Sequence, residues 1–319
     1  MQKNLFITNV ESLKIATNLG RGDKITDKIF ITNDRPFIED LLTPAFGQIA
    51  GSLEAYYLRN SEAVAYSIEE TPSSLDHEAA IAFILERLAE VRVFLQMLWM
   101  VKDNSVNIDL GYLEYPYKDN KAFKTNVSRN SFANVFSTAA AEDLVTEFTR
   151  DELRMARHLL RDLKMTIDRR PQIAADERYT RFDRAFYFVQ AARASSDLGV
   201  KIANYCICFE TLFSTDSQEI SHKLAERIAC FLEKTSAPRL DLFHSIKKSY
   251  AIRSRVIHGG KGSSRLREQL KEGSISCDNI LRRILVRILN DPSLQRYFRE
   301  PIPDKDAEEY FVSLVLGSE

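Results

Sequence analysis

Arg253 and His258 stand five positions apart at the end of an apolar helical period, just ahead of Gly259-Gly260-Lys261-Gly262-Ser263-Ser264. In Phe243, Ile246, Tyr250, Arg253 and Ile257 the spacing 3-4-3-4 puts all five on one stripe, so a cation occupies a position patterned for the core. An arginine there snorkels, pairs with a buried carboxylate such as Glu210, or faces an anionic ligand. Its guanidinium carries a permanent charge on a planar fork that matches phosphate oxygens. Histidine, with an unperturbed pKa of about 6.5, suits proton transfer near neutral pH. The plain alternative for His258 is a partner for the negative end of the helix dipole.

Local charge favours a phosphate-bearing ligand at this end of the helix. From Arg239 to Arg287 there are about twelve Lys and Arg against about four acids, roughly +8, whereas the whole chain balances 44 Lys and Arg against 45 Asp and Glu. Bulk attraction to nucleic acid or to an anionic membrane is therefore excluded, and any basic surface is local. Arg255, Lys261, Lys247 and Arg265 are the candidate phosphate contacts, with a merely solvated face as the alternative. The glycine-rich loop is not a Walker sequence: Lys261 is followed by Gly262, and no glycine lies five residues before the Gly260-Lys261 pair. No metal site and no cofactor are expected. The five histidines form no H-x3-5-H or H-E-x-x-H pattern, and Cys206 and Cys208 would point about 200° apart on a helix. Those two thiols, with Cys230 and Cys277, read as reduced cysteines of a reducing compartment.

The elements that must position these residues divide the 319-residue chain in two. Residues up to about 70 read as strand and turn, from Phe6-Ile-Thr-Asn-Val to Lys28-Ile-Phe-Ile-Thr. A helix is predicted over about 77–101, with Ser73, Ser74 and Asp76 as cap candidates and Ile84, Leu88, Val91, Leu95 and Leu98 along one face. A strand follows near Val106–Tyr115, and another helix starts at Thr149-Arg-Asp-Glu. From about 176 nearly everything reads as helix: 177–197, 199–214, a helix behind the capping-box spacing Asp216-Ser-Gln-Glu219, and the Arg253 helix, which begins after Pro238. A short helix from Arg265 to Lys271 and a separate stripe from Ile280 to Leu289 complete the prediction. The expected fold is thus an α+β N-terminal domain, 1–168, followed by an all-α helical bundle, 176–319, with the boundary near Arg169-Arg-Pro-Gln. No apolar run reaches the roughly 18 residues of a membrane span, and the first residues have too short an apolar core for a signal peptide, so the protein is expected in the cytoplasm with no membrane partner.

Three segments in this order carry a resemblance: Phe209-Glu-Thr-Leu-Phe213, Ser221-His-Lys-Leu-Ala-Glu-Arg-Ile-Ala229 and Tyr250-Ala-Ile-Arg-Ser-Arg-Val-Ile-His-Gly-Gly260. Their order and spacing resemble the Apea-like branch of the HEPN superfamily, and Arg253 to His258 resembles its R-x4-6-H motif, over about residues 176–300. The resemblance implies a helical bundle, a homodimer, and metal-independent cleavage of RNA, often in toxin or antiphage defence. It assigns catalysis to Arg253 and His258. Glu210, Arg227 and Ser254 are expected as structural support; Ser254 stands where active members often carry Asn, Asp or His. A non-catalytic RNA- or nucleotide-binding or assembly module is the alternative. The N-terminal domain is expected to sense or target. Five helical positions rotate His258 some 140° away from Arg253, so either the helix end unwinds at the glycines or two copies of the helix share a site across a two-fold axis.

Overall fold

The strand Gln2–Asn9 of the N-terminal half sends alternate side chains, Phe6 on one side and Leu5 and Ile7 on the other, to two different apolar layers, and that alternation organises the first unit. A computed structural model describes residues 2–42, 44–116, 124–130, 135–163, 179–216, 218, 220–257 and 264–317. The chain forms two compact units: Met1–Val135 with Asp143–Arg161, and Phe136–Glu142 with Asp162–Glu319.

The first unit runs β1 (Gln2–Asn9), β2 (Leu13–Ile15), β3 (Asp23–Lys24), β4 (Phe30–Thr32), α1 (Arg35–Leu41), α2 (Pro44–Ala50), α3 (Ser52–Arg59), β5 (Val64–Thr71), α4 (His77–Val101), β6 (Leu110–Pro116), β7 (Lys124–Asn130), β8 (Thr146–Phe148) and α5 (Arg150–Asp162). Six strands form an antiparallel sheet in the order β3-β4-β5-β1-β6-β7, with Leu5 opposite Ile68 on one side and Glu114 on the other. A parallel pair joins β2 to β8.

Helix α4 covers one face of the six-stranded sheet. Its Asp76 cap accepts the Ala79 N–H at 2.8 Å, as the spacing predicts. Gly111 lets the helix approach, since a Cβ there would meet Phe6, Ile84 and Leu88 at 3.0–3.1 Å. The opposite face carries Leu5, Ile7, Tyr66 and Tyr112 against Ile38, Leu41, Phe46 and Leu58 of α1, α2 and α3. These three short helices correct the reading of residues up to about 70 as strand and turn. Seven or eight residues are too few to print a helical period, and their stability comes from packing on the sheet. A local start signal did exist: Asp34 accepts the Phe37 N–H at 2.9 Å, with Pro36 in the first turn.

The second unit is helical, with α6 (Arg181–Arg193), α7 (Leu198–Phe213), α8 (Ile220–Leu232), α9 (Ser236–Ile257), α10 (Ser264–Asn290), a 3₁₀ turn at Pro292–Leu294, α11 (Gln295–Phe298) and α12 (Asp304–Leu316). Thr180 and Asp183 close a capping box on α6, and Asp197 caps α7 through the Val200 N–H. Asp216 accepts the Gln218 N–H and pairs with Lys223, both at 2.8 Å, while Glu219 of the predicted capping box lies outside the described residues. The fold class read from the sequence, α+β followed by a helical bundle, is the one observed.

Two expectations fail in this unit: α9 begins at Ser236, so Pro238, expected ahead of the helix, lies in its first turn, where a proline is tolerated. The short helix at 265–271 and the stripe at 280–289 are parts of a single helix, α10. Gly273 in its middle is no break: the missing Cβ would lie 3.1 Å from Ile252 Cδ1 and 3.4 Å from Ile202 Cδ1, so glycine lets α10 nest against α7 and α9. Segment Phe136–Glu142, which precedes the last strand of the first unit, belongs to the second: Ser137 donates its N–H to Arg193 O at 2.9 Å, and Ala139 O accepts Ser274 Oγ at 2.6 Å.

Among the described residues no helix is long and apolar enough to cross a membrane, and no group of three or more His, Cys, Asp or Glu side chains could hold a metal ion. All four cysteines are free. Cys206, Cys208 and Cys277 are buried, and burial pushes the Cys277 thiol up to about 12.

Candidate phosphate site at the end of α9

Helix α9 buries Leu242, Ile246, Ser249, Tyr250 and Ile252, leaves Phe243 and Arg253 half-buried, and exposes Ile257. The apolar stripe therefore holds at Ile246 and Tyr250 and leaves the core towards the C-terminus. A 3-4-3-4 spacing repeats every 3.5 residues, and an α-helix at 3.6 drifts by about 20° per heptad, so two heptads carry Ile257 out. The end of the helix is seated by Val256 instead. A Cβ on Gly199 would lie 2.7 Å from Val256 Cγ1, so the glycine in the first turn of α7 makes room for it.

Of the arrangements open to it on the stripe, Arg253 takes the pairing with Glu210. Its Nη1 lies 3.3 Å from Glu210 Oε1, the two side chains being 29% and 23% exposed. The Tyr250 hydroxyl lies 3.2 Å from the same carboxylate oxygen and 3.2 Å from Cys206 O, and can donate to one of them at a time. Burial, with the nearby Cys206 and Glu210, drives the Tyr250 hydroxyl far above its ordinary pKa, so it stays a neutral donor. The Arg253 guanidinium carbon is 5.9 Å from the Tyr250 ring centroid, and its buried Nε–H has no acceptor among the described residues. One guanidinium edge is thus taken by Glu210 while hydrogen-bonding capacity remains elsewhere on the fork.

Arg227, expected as structural support, pairs with Glu308 and not with Glu210. It is buried, donates to Phe213 O at 2.7 Å, and binds both carboxylate oxygens of Glu308 at 2.7 Å. Burial raises the Glu308 pKa, but hydrogen bonds from Thr215 and Arg227 outweigh it and hold the carboxyl below its ordinary range. Lys247 donates to Ser221 Oγ at 3.0 Å, Arg255 donates to Gln269 Oε1 at 3.2 Å, and Ser254 is exposed. Arg265 lies in the first turn of α10, its side chain outside what is described. His258 and Lys261 lie outside the described residues.

The basic run is less available than its composition implies. Lys271 pairs with Glu142 at 2.7 Å, Lys248 with Glu272 at 3.2 Å, Arg282 with Asp278 at 2.8 Å, and Arg283 with Glu233. Arg239 and Arg287 donate to the carbonyls of Glu233 and Phe231. Acids distant in sequence, Glu142, Glu210 and Glu233, return to the run in space and offset three of its roughly eight excess positive charges. Periodicity could reach Arg253 and Glu210. It could not reach the Tyr250 hydroxyl as a donor to Glu210, or Glu308, which lies 81 residues from Arg227.

What the arrangement can do chemically is present a guanidinium paired with an acid that an un-ionised phenol contacts in turn, one turn before the helix end that leads into His258. No family model matches the chain, and no curated protein or solved structure gives a significant match.

Proposed function

We propose that the second unit is a metal-independent endoribonuclease of HEPN type, acting in the cytoplasm in a toxin or antiphage role, with Arg253 and His258 working on an RNA phosphodiester. The observation that supports this reading is the positioning of Arg253, half-buried, oriented by Glu210 and Tyr250, and five residues before His258. Cleavage of RNA without a metal removes the 2′-hydroxyl proton, stabilises a charged phosphorane and protonates the leaving oxygen. Histidine moves the protons, and the arginine fork carries the phosphorane charge. The partner for such a site is a second copy of the chain. Symmetry would bring the arginine of one α9 to the histidine of the other, with the exposed Ile257 near the axis.

A second reading has its own support. The Arg253–Glu210 pair and the paired basic run suit an assembly or binding module in which Arg253 is structural and His258 caps α9. One experiment separates the two: the purified chain is incubated with total RNA in excess EDTA. The nuclease reading expects cleavage to 2′,3′-cyclic phosphate ends, reduced roughly 10²–10⁴-fold in His258→Ala. Absence of cleavage by the wild type, full activity in His258→Ala, or loss of activity on adding EDTA would sink it.

A further inference from the structure

The first unit carries a row of positive charge that composition over 239–287 does not register. Arg150, Arg154, Arg157 and Arg161 stand at i, i+4, i+7 and i+11 of α5. In an α-helix that spacing places them within about 60° of arc and about 16 Å of axis. Leu153, Ala156 and Leu159 are buried on another side of the helix and hold it in place, so the row has a fixed direction.

The row is mostly uncompensated. Asp23 takes Arg150, whose Nε and Nη2 lie 2.7 and 2.5 Å from its carboxylate oxygens. Glu152 is taken by Lys102 at 2.7 Å and by the Thr149 N–H at 2.8 Å. Arg154 meets Asp151 at 3.2 Å, but the two side chains are 62% and 90% exposed, and a pair so solvated is worth little. Among the described residues Arg157 and Arg161 have neither a hydrogen bond nor an ion pair. The field of the row is felt at Asp23: the Arg150 hydrogen bond lowers its pKa, burial opposes, and the charges of Arg150, Arg154 and Arg157 add to the lowering. The contrast with the second unit is physical, because there the acids are interleaved with the cations and here they are spent.

We infer that the face of α5 bearing Arg154, Arg157 and Arg161 binds the phosphate backbone of single-stranded RNA. One narrow row of guanidinium groups, a helical turn apart, meets successive phosphates of one flexible strand, whereas a duplex presents two strands across a groove. Arginine forks suit phosphate in the bidentate manner that lysine cannot reproduce. The choice of RNA over other polyanions rests on the nuclease reading above; the charge geometry does not.

The test is binding of a fluorescein-labelled single-stranded 2′-O-methyl RNA, which lacks the nucleophilic hydroxyl, to the full chain across about 50–200 mM salt. The triple variant Arg154→Gln, Arg157→Gln, Arg161→Gln is expected to bind at least about tenfold more weakly, with a log–log salt slope shallower by about 2. A triple lysine variant keeps the charge and is expected to retain most of the salt slope, which separates loss of charge from loss of fold. Unchanged affinity and slope in the glutamine variant, or no RNA binding by the wild type while it binds phosphatidylserine vesicles, overturns the inference. RNA binding lost with α5 in a protein that cleaves nothing would sink the nuclease reading alone. Cleavage with undiminished binding in the glutamine variant would sink this inference alone.

Discussion

Arg253 of α9 reaches Glu210 of α7 at 3.3 Å, and this ion pair is the junction at which the helical unit hands its buried polar chemistry to the surface. Both partners are about a quarter exposed, so the pair lies between a surface bridge and a buried one. Glu210→Gln is expected to cost about 1–2 kcal/mol of unfolding free energy, read by urea titration, because Arg253 and Tyr250 lose a charged acceptor together. A double-mutant cycle with Arg253→Met should return a coupling of about 0.5–2 kcal/mol. Additive single effects would mean that the pair is not formed in solution.

Gly199 and Gly273 predict opposite tolerances. At Gly199 a new Cβ meets Val256 Cγ1 at 2.7 Å, and a β-branched side chain has little freedom to retreat, so Gly199→Ala should destabilise by about 1–3 kcal/mol. At Gly273 the obstacle is the tip of Ile252 at 3.1 Å, and alanine gains helix propensity of up to about 1 kcal/mol, so Gly273→Ala should lie within about 1 kcal/mol of wild type. Thermal melts of the two variants should rank them in that order.

The Arg227–Glu308 pair makes stability depend on acid. A carboxyl held below its unfolded value contributes stability that is fully present above about pH 4.3 and is lost as pH falls through the folded pKa. The melting-temperature gap between wild type and Glu308→Gln should therefore be constant from about pH 7 to 5 and shrink below about pH 4. A gap that widens in acid would contradict the sign.

The thiols give a labelling test. Burial raises Cys206, Cys208 and Cys277 well away from the thiolate that reacts with alkylating reagents, whereas Cys230 is only half-buried. Under native conditions iodoacetamide should modify Cys230 first, with the other three reacting only after denaturation; mass spectrometry of timed samples reads the order.

Long periodic elements were legible because their pattern is local. The helix predicted over 77–101 is α4, His77–Val101, with Asp76 as its cap, since both the apolar spacing and the cap lie within one stretch of chain. The helices α1, α2 and α3 were not legible, because elements of two turns owe their existence to the sheet they cover. Gly273 shows the same limit: only the approach of Ile252 and Ile202 makes it a packing notch within the single helix α10.

The sequence by itself determined that Arg253 sits on an apolar stripe, with a carboxylate such as Glu210 as one of the partners open to it, and that the chain is mixed in front and helical behind. Tertiary structure alone decided that Glu210 takes Arg253 while Arg227 is occupied by Glu308, because Glu308 comes from α12, 81 residues further along the chain. It also decided where positive charge remains free. Counting charges along a run treats each as solvated, but ion pairing is set by distance in space, so Glu142, Glu210 and Glu233 offset three of the excess charges of the run at 239–287, while among the described residues Arg157 and Arg161 of α5 have no ion pair.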